Sequence, residues 1–284
     1  MTAPLHEHVA AARRTLVAAG LVPDDAAIDA DILARHVLDW DRAELLTRRH
    51  LPPPPGFVDR YRKAIRRRGA REPVALITGH REFWGLDFEV TRDVLIPRPE
   101  TEILVETVTA ILALSPGARI VDVGTGSACI AVAVAHDCAD VQVIAIDRSA
   151  AALVVAARNV AKHRVGARVA LVRGDLLEPV RGPVDLVLSN PPYVGRQEAA
   201  DLPPEVLHYE PAEALFADED GLRVLRALLE SAADRLAPDG SLVVEFGAGQ
   251  AGRLRELARS GGWSIRTVRD LAGIERVAVL TRPR

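Results

Sequence analysis

The chain reads as α/β, a doubly wound and mostly parallel sheet preceded by a small helical domain. Three observations predict this class. From about Arg98 onward, apolar runs of strand length alternate with helical patterns, as expected of strands joined by right-handed crossovers. One run, Arg119-Ile120-Val121-Asp122-Val123, passes into the turn Gly124-Thr125-Gly126-Ser127-Ala128 and then into an Ala/Val-rich helix beginning at Cys129. Another, Val184 to Ser189, ends in Asn190-Pro191-Pro192-Tyr193. A length of 284 residues, 49% hydrophobic and 26% charged, suits a soluble globular chain of one or two domains.

Residues 1–73 form the expected helical domain. Leu5, Val9, Ala12 and Leu16 recur at helical spacing. Asp24 or Asp25 is the expected cap of a second helix carrying Ile28, Ile32, Leu33 and Val37, and Asp41 of a third with Leu45 and Leu46. Leu51-Pro52-Pro53-Pro54-Pro55-Gly56 breaks the pattern, and a further helix runs from about Phe57 to Arg68. Residues 74–97, short apolar pieces with Gly79 and Gly85, read as a β-hairpin connector. Residues 98–284 build the sheet domain. Gly247-Ala248-Gly249-Gln250, after the strand Leu242 to Phe246, reads as a turn and helix start.

The glycine turn predicts a cradle for a nucleotide-type ligand. Gly124 and Gly126 permit a tight turn and close backbone approach, and the following helix aims its free N–H groups at the ligand. The next apolar run, Val141 to Ile146, ends in Asp147, 21 residues after Gly126 and about where an acid bonds ribose hydroxyls. A third, Val169 to Val172, is followed by Arg173-Gly174-Asp175-Leu176, where Asp175 is placed to accept from an adenine amino group. A dinucleotide loop wants glycine or alanine three after Gly126, and that residue is Cys129. The spacing is closer to the D-x-G-x-G-x-G loop of S-adenosylmethionine enzymes, with Asp122 leading and Ala128 in the last glycine position. An alanine in helical φ/ψ there adds one methyl and leaves slightly less room.

Asn190-Pro191-Pro192-Tyr193 is the most informative feature. Ligands of open α/β sheets bind at the C-terminal edge of the strands, where this tetrapeptide falls. The prolines fix φ and donate no N–H, so the turn offers acceptors beside a planar amide and an aromatic ring. Such a site suits a planar group carrying an NH₂. With 19 Pro and three Tyr in the chain, a random match is expected roughly once in ten thousand, so chance is a poor explanation.

Beyond these motifs the chain resembles the protein-(glutamine-N5) methyltransferases that modify class I peptide-chain release factors. The resemblance runs through Arg71-Glu72-Pro73-Val74-Ala75, Ile77-Thr78-Gly79, Arg81-Glu82-Phe83-Trp84-Gly85, Leu95-Ile96-Pro97-Arg98-Pro99-Glu100-Thr101-Glu102, the glycine loop, Asn190 to Tyr193, Tyr209-Glu210-Pro211, Asp270-Leu271-Ala272-Gly273 and Glu275-Arg276-Val277. It implies a Rossmann-like, class I S-adenosylmethionine-dependent methyltransferase fold, with the last strand, about Glu275 to Thr281, antiparallel. It implies cofactor contacts from Gly124, Thr125, Gly126, Ser127, Ala128, Asp147, Asp175, Leu176 and Asn190, with Phe83 as a lid or else an ordinary core aromatic. It implies that the Asn190 side-chain oxygen and the Pro191 carbonyl accept the two N–H bonds of a glutamine side chain, that Pro192 shapes the turn, and that Tyr193 packs on the amide plane. The implied partner is a class I release factor, and the implied region recognising it is the helical domain.

Three other readings remain open at this stage: a sister enzyme that methylates glutamine in a large-subunit ribosomal protein, a DNA adenine methyltransferase, and a silent binding module. Asn-Pro-Pro-Tyr also serves base-flipping adenine methyltransferases. Those carry a basic target-recognition domain, and a net charge of −3 argues against a dedicated non-specific nucleic-acid binder. The intact tetrapeptide and glycine loop argue against the silent module. Cys129 and Cys138 make no disulfide framework and read as reduced core residues. The eight histidines lack metal spacing. Arg13 and Arg14 interrupt any signal peptide, and no apolar run reaches transmembrane length, so a cytoplasmic monomer is expected. From Phe57 to Arg71, seven bases and one acid give a local balance of +6. This stretch is either a solvated helix face or an attraction for an acidic or RNA-associated partner.

Overall fold

The computed structural model describes residues 3–218 and 220–283. Contacts divide the chain into two units. The first runs to Gly79 and includes Pro203–Tyr209; the second comprises His80–Leu202 and Glu210–Arg284.

The first unit is helical: α1 (Leu5–Ala18), α2 (Pro23–Leu38), α3 (Arg42–Arg48), α4 (Phe57–Gly69) and α5 (Val74–Thr78). Leu5, Val9, Ala12 and Leu16 bury one face of α1. Neither Asp24 nor Asp25 caps α2. Val22 holds the cap position, Pro23 takes the first helical position, and both acids lie in the first turn, where the helix dipole favours them. Asp41 does cap α3, in a reciprocal box with Glu44. The connector expected over residues 74–97 is shorter than its sequence suggests. Val74–Thr78 is helical, with Pro73 at its cap and Gly79 at φ 80° ending it, so the hairpin begins only at His80.

The basic cluster is partly structural. Arg67 pairs with Glu72 at 2.7 Å. Arg68, 7% exposed, donates to Asp29 at 2.6 Å and Glu205 at 3.0 Å, and Arg71 reaches the same Glu205. Arg60, Arg62, Lys63 and Arg66 remain on the exposed face of α4.

The second unit begins with an antiparallel hairpin, β1 (His80–Phe83) and β2 (Leu86–Glu89). A 3₁₀ turn, Pro99–Thr101, leads into α6 (Glu102–Leu112). Then follow β3 (Arg119–Val123), α7 (Cys129–Asp137), β4 (Gln142–Asp147), α8 (Ala150–Lys162), β5 (Val169–Arg173), β6 (Val184–Ser189) and β7 (Val194–Gly195). The short helix α9 (Pro204–Tyr209), which belongs to the first unit, precedes α10 (Ala212–Leu215), β8 (Phe216–Asp218) and α11 (Arg223–Ala233). The chain ends through β9 (Leu236–Glu245), α12 (Ala251–Ser260), β10 (Ser264–Arg269) and β11 (Glu275–Thr281). The turn expected at Gly247 to Gln250 does open α12.

Seven strands form one sheet in the order β10-β11-β9-β6-β3-β4-β5. Pairing is parallel from β5 to β9, while β11 is antiparallel to both neighbours. Apolar residues fill both faces, with Ile120 and Leu186 in one core and Val121 and Val187 in the other. That two-sided burial is why these strands read as continuous apolar runs. The chain winds from β3 out to β5, then returns to place β6 on the other side of β3. Strand order therefore reverses between β3 and β6, the position where an open sheet leaves a ligand crevice. The register pairs Val123 with Ser189, which sets Gly124 and Asn190 side by side at that switch point.

Candidate active site

The turn after β3 is held open by its own backbone. Gly124 and Gly126 have φ of 71° and 55°. The N–H groups of Gly124 and Thr125 both donate to the Ile146 carbonyl at 2.9 Å, tying the turn to β4. The Asp147 carboxylate accepts from Gly126 N–H and Ser149 N–H, each at 2.9 Å, so it shapes the loop and still has acceptor capacity for a ligand. Thr125 donates to Asp122 at 2.6 Å. Burial pushes the Asp122 carboxyl up to about 7 against that hydrogen bond, and its Oδ1 has no partner among the described residues.

Ala128 departs from expectation. It is left-handed, at φ 62° and ψ 22°, and occupies the cap position of α7. The position wants glycine, and alanine there costs about 1–2 kcal/mol. Its methyl is buried in the core and does not line the cavity, so it takes no room from a ligand. Asn159, fully buried on α8, also supports the loop. It donates to the Ser127 and Glu89 carbonyls and accepts from Glu89 N–H.

The Asn190 turn is braced from several directions. Ser189 donates to the Val123 carbonyl at 2.7 Å. Asn190 Nδ2 donates to Thr101 Oγ1 at 3.0 Å. The Tyr193 hydroxyl donates to Glu245 at 3.3 Å, and the Tyr193 carbonyl accepts from Gln250 at 2.8 Å. Gln250 is itself fixed by the Gly247 N–H. Burial drives the Glu245 carboxyl up to about 7 and raises the Tyr193 phenol as well. Glu210, 6% exposed, holds the segment before α6 by accepting from Ile96 N–H and Arg98.

Both turns open onto one cavity of about 1280 Å³, measured with its open mouth. Gly124, Thr125, Gly126, Ser127, Asp147, Asp175, Leu176, Asn190, Pro191 and Pro192 all line it. Arg98, Thr101, Ile130 and Ile146 join them. Two predicted site residues do not line it, besides Ala128. Phe83 is a core side chain, 1% exposed, with its ring edge-on to Phe88 at 6.1 Å, so it packs the interior instead of covering the cavity. Tyr193 is turned toward Glu245, with its carbonyl held by Gln250. Among the described residues no cluster of side chains suits a metal ion, and no helix is long and apolar enough to cross a membrane.

Comparison with known proteins agrees with this geometry. Residues 7–79 match the model of the PrmC N-terminal domain, and residues 99–210 that of the methyltransferase small domain. A protein from Bordetella pertussis named release factor glutamine methyltransferase is 44% identical over 254 residues, covering 88% of this chain and 93% of its own. The chain belongs to the release factor glutamine methyltransferase family. A second member, from Cereibacter sphaeroides, is 42% identical over 269 residues and covers 94% of this chain and 95% of its own. Solved structures show the fold at lower identity. The hMettl16 catalytic domain, solved with a MAT2A 3′UTR hairpin, superposes at TM-score 0.59 with 17% identity, over 78% of this chain and 82% of that one. A ribosomal protein L11 methylase from Lactobacillus delbrueckii subsp. bulgaricus gives TM-score 0.50 and 19% identity, over 69% and 84%. As in other class I methyltransferase folds, the sheet of this family member is Rossmann-like and mostly parallel.

Proposed function

We propose that this chain transfers a methyl group from S-adenosylmethionine to the side-chain amide nitrogen of the glutamine in the Gly-Gly-Gln motif of class I release factors. The observation that carries the reading is the shared cavity: the glycine loop and the Asn190 turn meet at the sheet's switch point and open onto the same space. The residues suit the cofactor. Positive-φ glycines and the free N–H groups of α7 make the cradle, Asp147 has acceptor capacity for ribose, Asp175 lines the same cavity and would accept from an adenine amino group, and Ile130, Ile146 and Leu176 give apolar walls.

When bound, S-adenosylmethionine supplies an electrophilic methyl on a sulfonium whose leaving group is neutral. The chain's task is the acceptor, an amide nitrogen whose lone pair is delocalised into its carbonyl. Asn190 Oδ1 and the Pro191 carbonyl accept the two N–H bonds of the substrate amide. They fix the nitrogen and oppose that delocalisation. Pro192 stiffens the turn, and Tyr193, anchored at hydroxyl and carbonyl, stands beside it. Positioning of this kind supplies several kcal/mol, with ~7–11 the range for ideal geometry. No base is needed before transfer, because the N-methylated amide cation is strongly acidic.

A sister activity on a large-subunit ribosomal protein would use the same chemistry. It is not favoured, because relatives at 40–44% identity carry the release-factor name, whereas the ribosomal-protein methylase shares only the fold. The helical unit is the region we assign to recognition of the release factor. Its exposed bases, Arg62, Lys63 and Arg66, are the ones to neutralise, because Arg67, Arg68 and Arg71 hold the unit together. The triple substitution should raise KM for intact release factor several-fold at low salt and leave a short Gly-Gly-Gln peptide unaffected, as unscreened steering requires. Equal rates on intact factor would dismiss this face. The activity itself is tested by peptide mass spectrometry of purified release factor after incubation with enzyme and labelled S-adenosylmethionine. Label on the motif glutamine supports the reading, and release factor left unlabelled, or labelled at another residue, overturns it.

A further inference from the structure

Asn190 carries both a donor and an acceptor, and only the acceptor suits a substrate nitrogen with two N–H bonds. Turned over, its NH₂ would face the substrate NH₂, and both hydrogen bonds would be lost. The structure contains a device that sets the turn. Asn190 Nδ2 donates to Thr101 Oγ1 at 3.0 Å, and Thr101 is 2% exposed. Glu245, 1% exposed at the end of β9, holds the Tyr193 end of the same turn. Its Oε1 accepts from the Tyr193 hydroxyl, while its Oε2 has no hydrogen bond among the described residues. A hydroxyl has one proton and two lone pairs. With Nδ2 taken up by Thr101, the amide oxygen is the atom left to face the cavity.

We propose that Thr101 is a positioning residue that locks the Asn190 side-chain amide with its oxygen toward the substrate, and that Glu245 is a second one that holds the same turn through Tyr193. Neither touches the reacting atoms in this role; Thr101 acts through Asn190, and Glu245 through Tyr193. The inference rests on the reading that Asn190 Oδ1 accepts the substrate amide. It extends that reading to two residues that come from the segment before α6 and from the far end of β9.

The test is steady-state methylation of intact release factor by Thr101→Val, Thr101→Ser and Asn190→Ala, with cofactor affinity and Tm measured on each. Thr101→Val keeps the shape and removes the acceptor. Its kcat should fall roughly tenfold or more, the effect of one misdirected hydrogen bond in the reacting geometry, while KM for release factor and cofactor Kd stay within about threefold. Thr101→Ser restores the hydroxyl and should recover most of kcat. Glu245→Gln gives an independent arm: it weakens the acceptor of the Tyr193 hydroxyl, so kcat should drop at near-normal KM, and an unchanged kcat removes Glu245 from the device. A Thr101→Val enzyme with wild-type kcat overturns the proposal, as does a folded Thr101→Ser enzyme as slow as Thr101→Val. If Asn190→Ala is inactive while Thr101→Val is fully active, only this inference fails. If Asn190→Ala is itself active, the reading of Asn190 fails with it.

Discussion

The cofactor half of the site is made of backbone, and the acceptor half of side chains. On the cofactor side, two positive-φ glycines, the N-terminus of α7 and one carboxylate close a loop whose parts lie within a single strand-turn-helix-strand unit. On the acceptor side, Asn190 and Tyr193 depend on Thr101, Glu245 and Gln250, which are between 52 and 89 residues distant in sequence. The first half tolerates an imperfect residue: Ala128 strains its backbone, yet its methyl points into the core. The second half cannot be altered so locally, because each brace has a partner on another element. The difference teaches where function is vulnerable. On the proposed reading, cofactor binding follows from a short stretch of chain, whereas catalysis follows from how the sheet's C-terminal edge is assembled.

That contrast can be broken at several points. Asn190→Ala should lower methylation about 10²–10³-fold, the usual loss when a preorganised partner of the transition state is removed, at unchanged Tm. Wild-type turnover in a rate assay would remove Asn190 from the mechanism. Asp147→Ala should weaken S-adenosylmethionine binding by about 1.5–3 kcal/mol through lost charge-assisted bonds. Some of that loss will come from the loop, because Gly126 and Ser149 lose their acceptor as well. An unchanged Kd in calorimetry would make Asp147 a loop brace alone.

Gly221→Ala sharpens the comparison from the acceptor side. Its φ is 72°, and an added Cβ would lie 2.3 Å from the Tyr193 carbonyl oxygen and 2.7 Å from Gln250 Nε2. Overpacking of this kind costs about 1–3 kcal/mol. Tm and kcat should both drop, with cofactor affinity preserved; a parallel loss of affinity would show that the halves are not separable.

The smallest expected effect is on stability. Burial raises Asp122 from 3.8 and Glu245 from 4.5 to about 7 in the folded chain. The folded state then binds more protons than the unfolded one between those values. Their contribution is full below about pH 4 and is lost as pH rises through about 7. Thermal melts of the cofactor-free protein should show this decline, and Asp122→Asn should flatten it. A slope unchanged by that substitution would mean the carboxyl is not the titrating group.

The same division explains what could be read in the sequence. The parallel strands were legible because both faces are buried, and the glycine loop because its parts are contiguous. The buried face of α1 was legible from periodicity, while Pro23 displaced the aspartates as the start of α2. Val74–Thr78 reads as a strand piece because five residues carry no helical period, and its Pro73 and Gly79 boundaries fit either state. Phe83 was left between a lid and an ordinary core aromatic because its depth depends on Phe88 and α6, and the structure gives the second. The braces were invisible for a different reason. Thr101 is an ordinary residue until Asn190 is brought against it. Glu245 did leave a signal, a carboxylate closing the apolar run Leu242-Val243-Val244, where only a buried partner makes an acid tolerable.

The separation of the two halves is tested most directly by titrating S-adenosylmethionine into Asn190→Ala in a calorimeter. The expected result is a dissociation constant within about fivefold of wild type, the worth of one ordinary hydrogen bond, in a protein that no longer methylates release factor. A loss of cofactor binding as large as the loss of turnover would contradict it, and would make Asn190 a cofactor residue first and an acceptor residue only by consequence.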